Sequence, residues 1–296
     1  MPGSIRIERV GVAALPRLAP LWEALFDHHV AIGAAGLAVI DREESWALRE
    51  RHYRRLSAEH PWVSIHLGVQ EGCPVGYALS YADEIDGLPA VVLETLSVLP
   101  EARGAGVGTR LMRAVDAEAD AAGIGTAVVE VMGGNPRPRK LYLAEGYRPH
   151  SESWLRSRRP GGGETVGGAA GSRAVVGASV GTAGTAGTSA GADAELRALA
   201  AELGFPLEFS PGPDDTWVSS DRIAELVPAA AGTVTDPLRI GALLDGLADA
   251  GAWTARVEIP AAPAHEALRS ALVALGFRLS TERLVRRQPM HRRRPV

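Results

Sequence analysis

The stretch ETLSVLPEARGAGVGTRLM, residues 94–112, sets Gly104, Gly106 and Gly108 at alternate positions behind Arg103 and ahead of an apolar-periodic segment. Residues without Cβ let backbone N–H groups close around an anion, and a helix that starts there adds a favourable dipole. The chemistry such a loop serves is the holding of phosphate. Three phosphate loops compete for the pattern. A Walker loop needs Gly-Lys-Ser/Thr, and Lys140, the only lysine, lies elsewhere. A dinucleotide fingerprint needs Gly-x-Gly-x-x-Gly, and counted from Gly104 its third glycine position holds Thr109. The third loop takes the spacing Arg-x-x-Gly-x-Gly, which Arg103, Gly106 and Gly108 fill. A glycine-rich turn without ligand is the plain alternative.

With that spacing, after LETLSV and at a helix start, the segment resembles the acetyl-CoA loop of the GNAT superfamily of N-acetyltransferases. The resemblance covers most of residues 5–158. LETLSVLPEARGAGVG is similar to the family's fourth strand and following loop, VVEVMGGN to its fifth strand, and NPRPRKLYLAEGY to its next helix. Asn135 and Tyr142 match its Asn-(x)6-Tyr spacing. The resemblance implies an α/β (α+β) fold, with a GNAT-like mixed central sheet flanked by helices, and acetyl-CoA as co-substrate. It implies that Leu96, Ser97, Val98, Arg103, Gly104, Ala105, Gly106, Val107, Gly108, Thr109 and Asn135 hold that co-substrate, the strand residues through their backbone. No metal is implied, and no His/Cys cluster has ligand spacing.

Acetyl transfer needs an uncharged amine, a stabilised oxyanion and a proton for the departing thiolate. An amine with a pKa of about 10 is mostly protonated at pH 7, so a base must take its proton. The resemblance assigns that part to Glu94, and its apolar neighbours Leu93, Leu96 and Val98 lead us to expect burial to raise its pKa. A substrate-cation anchor or a structural carboxylate is the other reading of Glu94. The resemblance also assigns Tyr142 the part of general acid toward the thiolate; a core tyrosine bonded to backbone is the other reading. Cys73 lies on a turn far from the loop, which leaves an acyl-cysteine without support. Asp27, His28 and His29, near the end of the first helix, either face the acceptor groove or form a solvated helix end; the second is the expectation, because adjacent residues do not share a helix face. Asp83, Glu84 and Asp86 read as a solvated hairpin tip. The expected reaction is direct acetyl transfer to a primary amine, a small molecule rather than a peptide, through a ternary complex. The rival class is a non-catalytic acyl-CoA-binding or scaffolding module.

The elements that must position these residues are legible as patterns. SIRIERV, WVSIHLGV, PVGYALSYA, AVVLETLSV, TAVVEVM and SESWLRSR read as strands. Leu15 to Asp27, Asp41 to Leu56, Val107 to Ala122 and Arg137 to Ala144 read as helices. From 161 to 191 the composition collapses to Gly, Ala, Ser and Thr, which reads as a flexible linker between a catalytic domain at 1–160 and a second domain at 192–288, with a basic tail at 289–296.

The second domain reads as a worn copy of the first. An offset of 128 sets AAGIGTAVVEV against DAGAWTARVEI, and an offset of 130 sets AEGYRPHSESWLR against ALGFRLSTERLVR. Carried through the first offset, Arg103 to Gly108 face Ala231 to Asp236 and Glu94 faces Arg222; the second sets Tyr142 against Leu272. We expect this half to be degenerate, short of its early strands, and packed on the first as an intramolecular pseudo-dimer beside the acceptor groove, in a chain that is monomeric or homodimeric. A net charge of −4 argues against general nucleic-acid or membrane-surface binding. The single cysteine and the absence of a signal-like start or a long apolar run lead to a cytoplasmic expectation.

Overall fold

The computed structural model describes residues 4–32, 40–157, 190–211, 222–227, 237–250, 252 and 254–287. The N-terminal half runs β1 (Ile5–Val10), α1 (Ala19–Ile32), α2 (Arg42–Glu59), β2 (Val63–Gln70), β3 (Cys73–Ile85), β4 (Leu88–Val98), α3 (Val107–Ala121), β5 (Thr126–Met132), α4 (Pro136–Ala144) and β6 (Arg148–Ser157). The C-terminal half adds α5 (Ala190–Glu202), β7 (Leu207–Pro211), β8 (Arg222–Leu226), α6 (Pro237–Asp249), β9 (Thr254–Pro260), α7 (Glu266–Ala274) and β10 (Arg278–Arg287). The helix expected over Leu15 to Asp27 splits. A 3-10 stretch, Val12–Leu18, contains Pro16, and α1 then continues to Ile32, past both histidines. In α3, Val107, Leu111, Met112, Val115 and Ala119 recur at helical spacing and are buried.

Among the described residues the strands join one mixed ten-stranded sheet in the order β1-β2-β3-β4-β5-β10-β6-β9-β8-β7. The halves therefore do more than pack together. The last strand, β10, enters between β5 and β6, antiparallel to both. The ladders obey a pseudo-twofold relation. On one side Met132 pairs Thr281 and Thr126 pairs Arg287; on the other, Pro260 pairs Ser151 and Thr254 pairs Ser157. These partners are related by the two sequence offsets, and the dyad falls where Glu152 pairs its own counterpart Glu282. The cores follow the strands. Leu284 of β10 is buried among Val91, Leu111, Val115 and Val129 of the N-terminal half. Its counterpart Trp154 of β6 is buried among Leu243, Leu247, Val257 and Leu272 of the C-terminal half.

Matching ion pairs clasp the exchange. Arg139 on α4 grips Glu282 at 2.5 and 3.0 Å, and Arg269 on α7 holds Glu152 at 2.8 Å. Gly133, just past β5, shows how tight the crossing is. A Cβ there would lie 2.2 Å from the Leu279 carbonyl oxygen.

The ladders also correct one alignment. β4 pairs β5 in parallel from Ala90–Thr126 to Leu93–Val129, and β8 pairs β9 from Ile223–Thr254 to Leu226–Val257. Leu226 thus matches Leu93, and the counterpart of Glu94 is Val227, not Arg222. The offset of 128 had been carried past a length change. The helices keep that offset, since Ile124 N–H bonds Ala119 O as Ala252 N–H bonds Leu247 O. The strand-to-helix connection is accordingly five residues shorter in the C-terminal half. Residues 231–236 themselves, the segment 161–189 and the tail 289–296 lie outside the described residues. Among the described residues this half has two strands ahead of α6, against four ahead of α3.

Candidate active site

The site begins where the sheet parts. The β4–β5 ladder ends at Leu93–Val129, while β4 continues on β3 and β5 on β10. Each strand keeps one ladder and frees the edge that faces the other. A cavity of about 1060 Å³ occupies the opening, with Leu96 and Val98 on one side and Glu130 to Met132 on the other. Just at the fork the β3–β4 register slips: Leu79 pairs Thr95 and Ser80 pairs Leu93, so Glu94 has no partner in the ladder. Such a bulge re-aims its extra residue.

The phosphate end of the cavity is the start of α3. Gly104 and Gly106 have φ of +82° and +78°, the left-handed region that a side chain disfavours. The first bond of α3 runs from Arg110 N–H to Gly106 O. The amides of Val107, Gly108 and Thr109 precede it and line the cavity. Arg103 also lines it, with Nε donating to Val98 O at 3.1 Å, which ties the loop to the strand end. Of the residues expected to hold the co-substrate, Ser97 and Ala105 stand outside the wall. Ser97 Oγ donates to Leu21 O at 2.9 Å and fastens β4 to α1, and Ala105 points to solvent.

Glu94 is held by α2. Arg49 Nη1 donates to Glu94 Oε1 at 2.7 Å, and His52 Nε2 lies 2.9 Å from the same oxygen. The Arg49 guanidinium is buried and stacks 4.1 Å above the Trp22 ring centroid. Arg55 Nη2 approaches His52 Nδ1 at 3.1 Å. An arginine can only donate, so Nδ1 accepts and Nε2 carries the proton toward Glu94. Burial alone pushes the Glu94 carboxyl up, but the His52 hydrogen bond and the Arg49 charge outweigh it and hold the pKa below the ordinary value. The expected rise is therefore reversed. Arg49 and His52 were not singled out from the sequence, although with Tyr53 they stand at helical i, i+3 and i+4 spacing. Tyr53 OH lies 2.7 Å from Thr95 Oγ1 and 3.0 Å from Tyr77 OH, a buried network that supports the bulge from beneath.

Tyr142 lines the cavity from α4, buried edge-on against Tyr147 with ring centroids 5.6 Å apart. Its hydroxyl makes no hydrogen bond to the described residues, unlike a core tyrosine satisfied by backbone. Burial, then Tyr147, raises its pKa. Asn135 is buried in the same wall, which it shares with His28. His28 and His29 both line the cavity, which corrects the reading of a solvated helix end. Burial, His28 and Arg49 push His29 down to about 3, so it is neutral. Asp83 and Glu84 belong to β3 and line the mouth of the cavity, while the hairpin tip is Asp86-Gly87. The far wall comes from the other half: Arg256, Ser280, Thr281 and Arg283. Among the described residues no group of three His, Cys, Asp or Glu could hold a metal ion, and no helix is long and apolar enough to cross a membrane.

The model of the Acetyltransferase (GNAT) family matches residues 22–147. This segment is a GNAT acetyltransferase domain. The N-acetyltransferase PaiA of Thermoplasma acidophilum, solved with coenzyme A, is 14% identical, with a TM-score of 0.40 over 49% of this chain and 91% of its own. An acetyltransferase from Thermus thermophilus is 19% identical, with a TM-score of 0.40 over 50% of this chain and 90% of its own. A fungal multi-domain GH3 beta-N-acetylglucosaminidase with a GCN5-related glucosamine N-acetyltransferase region is 10% identical, with a TM-score of 0.51 over 96% of this chain and 38% of its own. That last likeness is one of fold, and it spans both halves. No curated protein matches the sequence. The GNAT match stops at Tyr147, before β6, so the cavity wall built by Ser280, Thr281 and Arg283 comes from outside the matched segment.

Proposed function

We propose that the protein transfers the acetyl group of acetyl-CoA to a primary amine, a small molecule rather than a peptide, in a ternary complex. The observation that carries this reading is one cavity shared by the first residues of α3, the edge of β4, Glu94 and Tyr142. The fit of the co-substrate rests on that geometry. The amides of Val107, Gly108 and Thr109 suit a pyrophosphate, with Arg103 beside them, and the open edge at Leu96 and Val98 suits an amide-bearing arm laid along it as an added strand. When bound, acetyl-CoA supplies an activated acyl group on a thiolate leaving group.

The chain's own residues then have defined tasks. Glu94, ionised between Arg49 and His52, accepts a hydrogen bond from the incoming neutral amine, which has already given its ammonium proton to solvent, and receives the nitrogen's remaining extra proton as the bond to carbon forms, directly or through water. A weakly basic carboxylate suffices because the nitrogen turns strongly acidic as its bond to carbon forms. Tyr142, protonated at neutral pH, donates its hydroxyl hydrogen bond to the leaving sulfur. Asn135 orients the arm. In the same reading residues 1–160 are the catalytic domain and 192–288 a degenerate GNAT-like one, supported by the shortened connection before α6 and by Val227 at the place of Glu94.

A thiol-trapping dye with acetyl-CoA and a panel of primary amines tests the reading. Thiol release dependent on an amine is expected. Acetyl-CoA binding by calorimetry without release from any amine would make the protein an acyl-CoA-binding module.

A further inference from the structure

We propose that Arg283, brought into the cavity by β10, determines acceptor specificity, and that the acceptor is a polar primary amine long enough to touch Glu94 and the Arg283–Glu130 pair together; this rests on the acetyl-transfer reading. Glu94 and Arg283 stand two strands apart in the sheet, β4-β5-β10, at least about 10 Å where β4 and β5 begin to part. Both line the one cavity. Arg283 donates to Glu130 Oε1 from Nε at 3.1 Å and from Nη2 at 2.7 Å, and to Glu258 Oε1 from Nη1 at 3.2 Å. Ser151 Oγ also donates to that Glu258 oxygen, at 2.7 Å.

The dyad makes this arrangement informative. Glu130 and Glu258 are counterparts across it, but the counterpart of Arg283 is Ser153, and that of Arg256 is Val128. Arg283 stands on the side of the dyad that carries Glu94, opposite Glu130 as Ser153 stands opposite Glu258 on the other side, while Arg256 reaches the same cavity from β9, across the dyad. A guanidinium has five N–H donors, and the two carboxylates take three of them. The Arg283–Glu130 pair therefore offers both donors and a carboxylate acceptor, with little net charge. Hydroxyl groups, which give and accept hydrogen bonds, match it. An alkyl chain would leave the pair desolvated without partners.

The test compares two amines of similar reach, a glucosamine disaccharide and hexylamine, with wild type, Arg283→Gln and the double variant Glu130→Gln/Arg283→Gln, which leaves no lone carboxylate at position 130. Wild type should show the lower KM for the disaccharide. Arg283→Gln should raise that KM about 10- to 100-fold, the worth of a charge-assisted hydrogen bond. The hexylamine KM, kcat with either amine and acetyl-CoA affinity should stay within about threefold, and the double variant should behave alike. A wild type that favours hexylamine, equal KM changes for both amines, or no change overturns the proposal. Absence of thiol release from wild type counts against acetyl transfer alone. Calorimetry of the disaccharide with coenzyme A present then reads Arg283, whose substitution must weaken binding for the proposal to stand.

Discussion

Replacing Leu284 by alanine should destabilise the N-terminal half, although the residue belongs to the last strand of the C-terminal one. Its side chain is fully buried, in a core otherwise built from β3, β4, β5, α3 and α4. Removing a buried leucine's outer carbons costs about 2–5 kcal/mol, the upper part arising where the cavity cannot collapse. Taking about 3 kcal/mol, the unfolding equilibrium shifts by roughly 150-fold. With a urea slope of about 3 kcal/mol/M, the midpoint falls by about 1 M. Val273→Ala, at an exposed position on α7, should stay within about 0.5 kcal/mol. Where the loss appears is the decisive part. Hydrogen exchange should accelerate first in α3 and β5 for Leu284→Ala. For Trp154→Ala, at about 3–5 kcal/mol, it should accelerate first in α6 and β9. Two units that kept their own strands would give the reverse assignment. That outcome, or a midpoint shift no larger than the Val273 control, would refute the exchange.

Three further outcomes follow from the site. Gly106→Asp should abolish acetyl-CoA binding, read by calorimetry as loss of a single site per chain, because it sets a carboxylate against phosphate on a backbone of positive φ. Tyr142→Phe should lower kcat about 100-fold with little change in acetyl-CoA affinity, and full turnover would reduce Tyr142 to packing. With the Glu94 pKa held below its ordinary 4.5, that carboxylate stays ionised above pH 5, so kcat/KM should rise with pH through the acceptor's own amine titration, without an inflection between 5 and 7. Arg49→Met removes a counter-charge and leaves burial, so the acid limb should move up in pH; a profile identical to wild type would detach Arg49 from Glu94.

The sequence by itself determined what depends on neighbours along the chain. The left-handed glycines of the loop, the apolar stripe of α3 and the apolar runs of β2 to β5 are local, and they were legible with boundaries close to those observed. Asn135 and Tyr142 were picked out by their spacing, which one short helix preserves, and both line the cavity. The internal repeat was legible too, since two strands and the helices between them keep fixed offsets. What the tertiary structure alone decided is everything that crosses between elements. Arg49 and His52 reverse the expected shift of Glu94 because α2 lies across β4, and desolvation competes with a charge that is 45 residues away in sequence. Neither histidine of α1 could be assigned to the cavity until the helix was seen to run past them. The exchange of β6 and β10 was beyond sequence reasoning for a firmer reason. Each strand carries nearly the same pattern as its counterpart, so either slot satisfies its alternation. The choice between home and partner sheet is made by side chains such as Leu284, Trp154 and the Arg139–Glu282 clasp, which contribute only after both halves are in place.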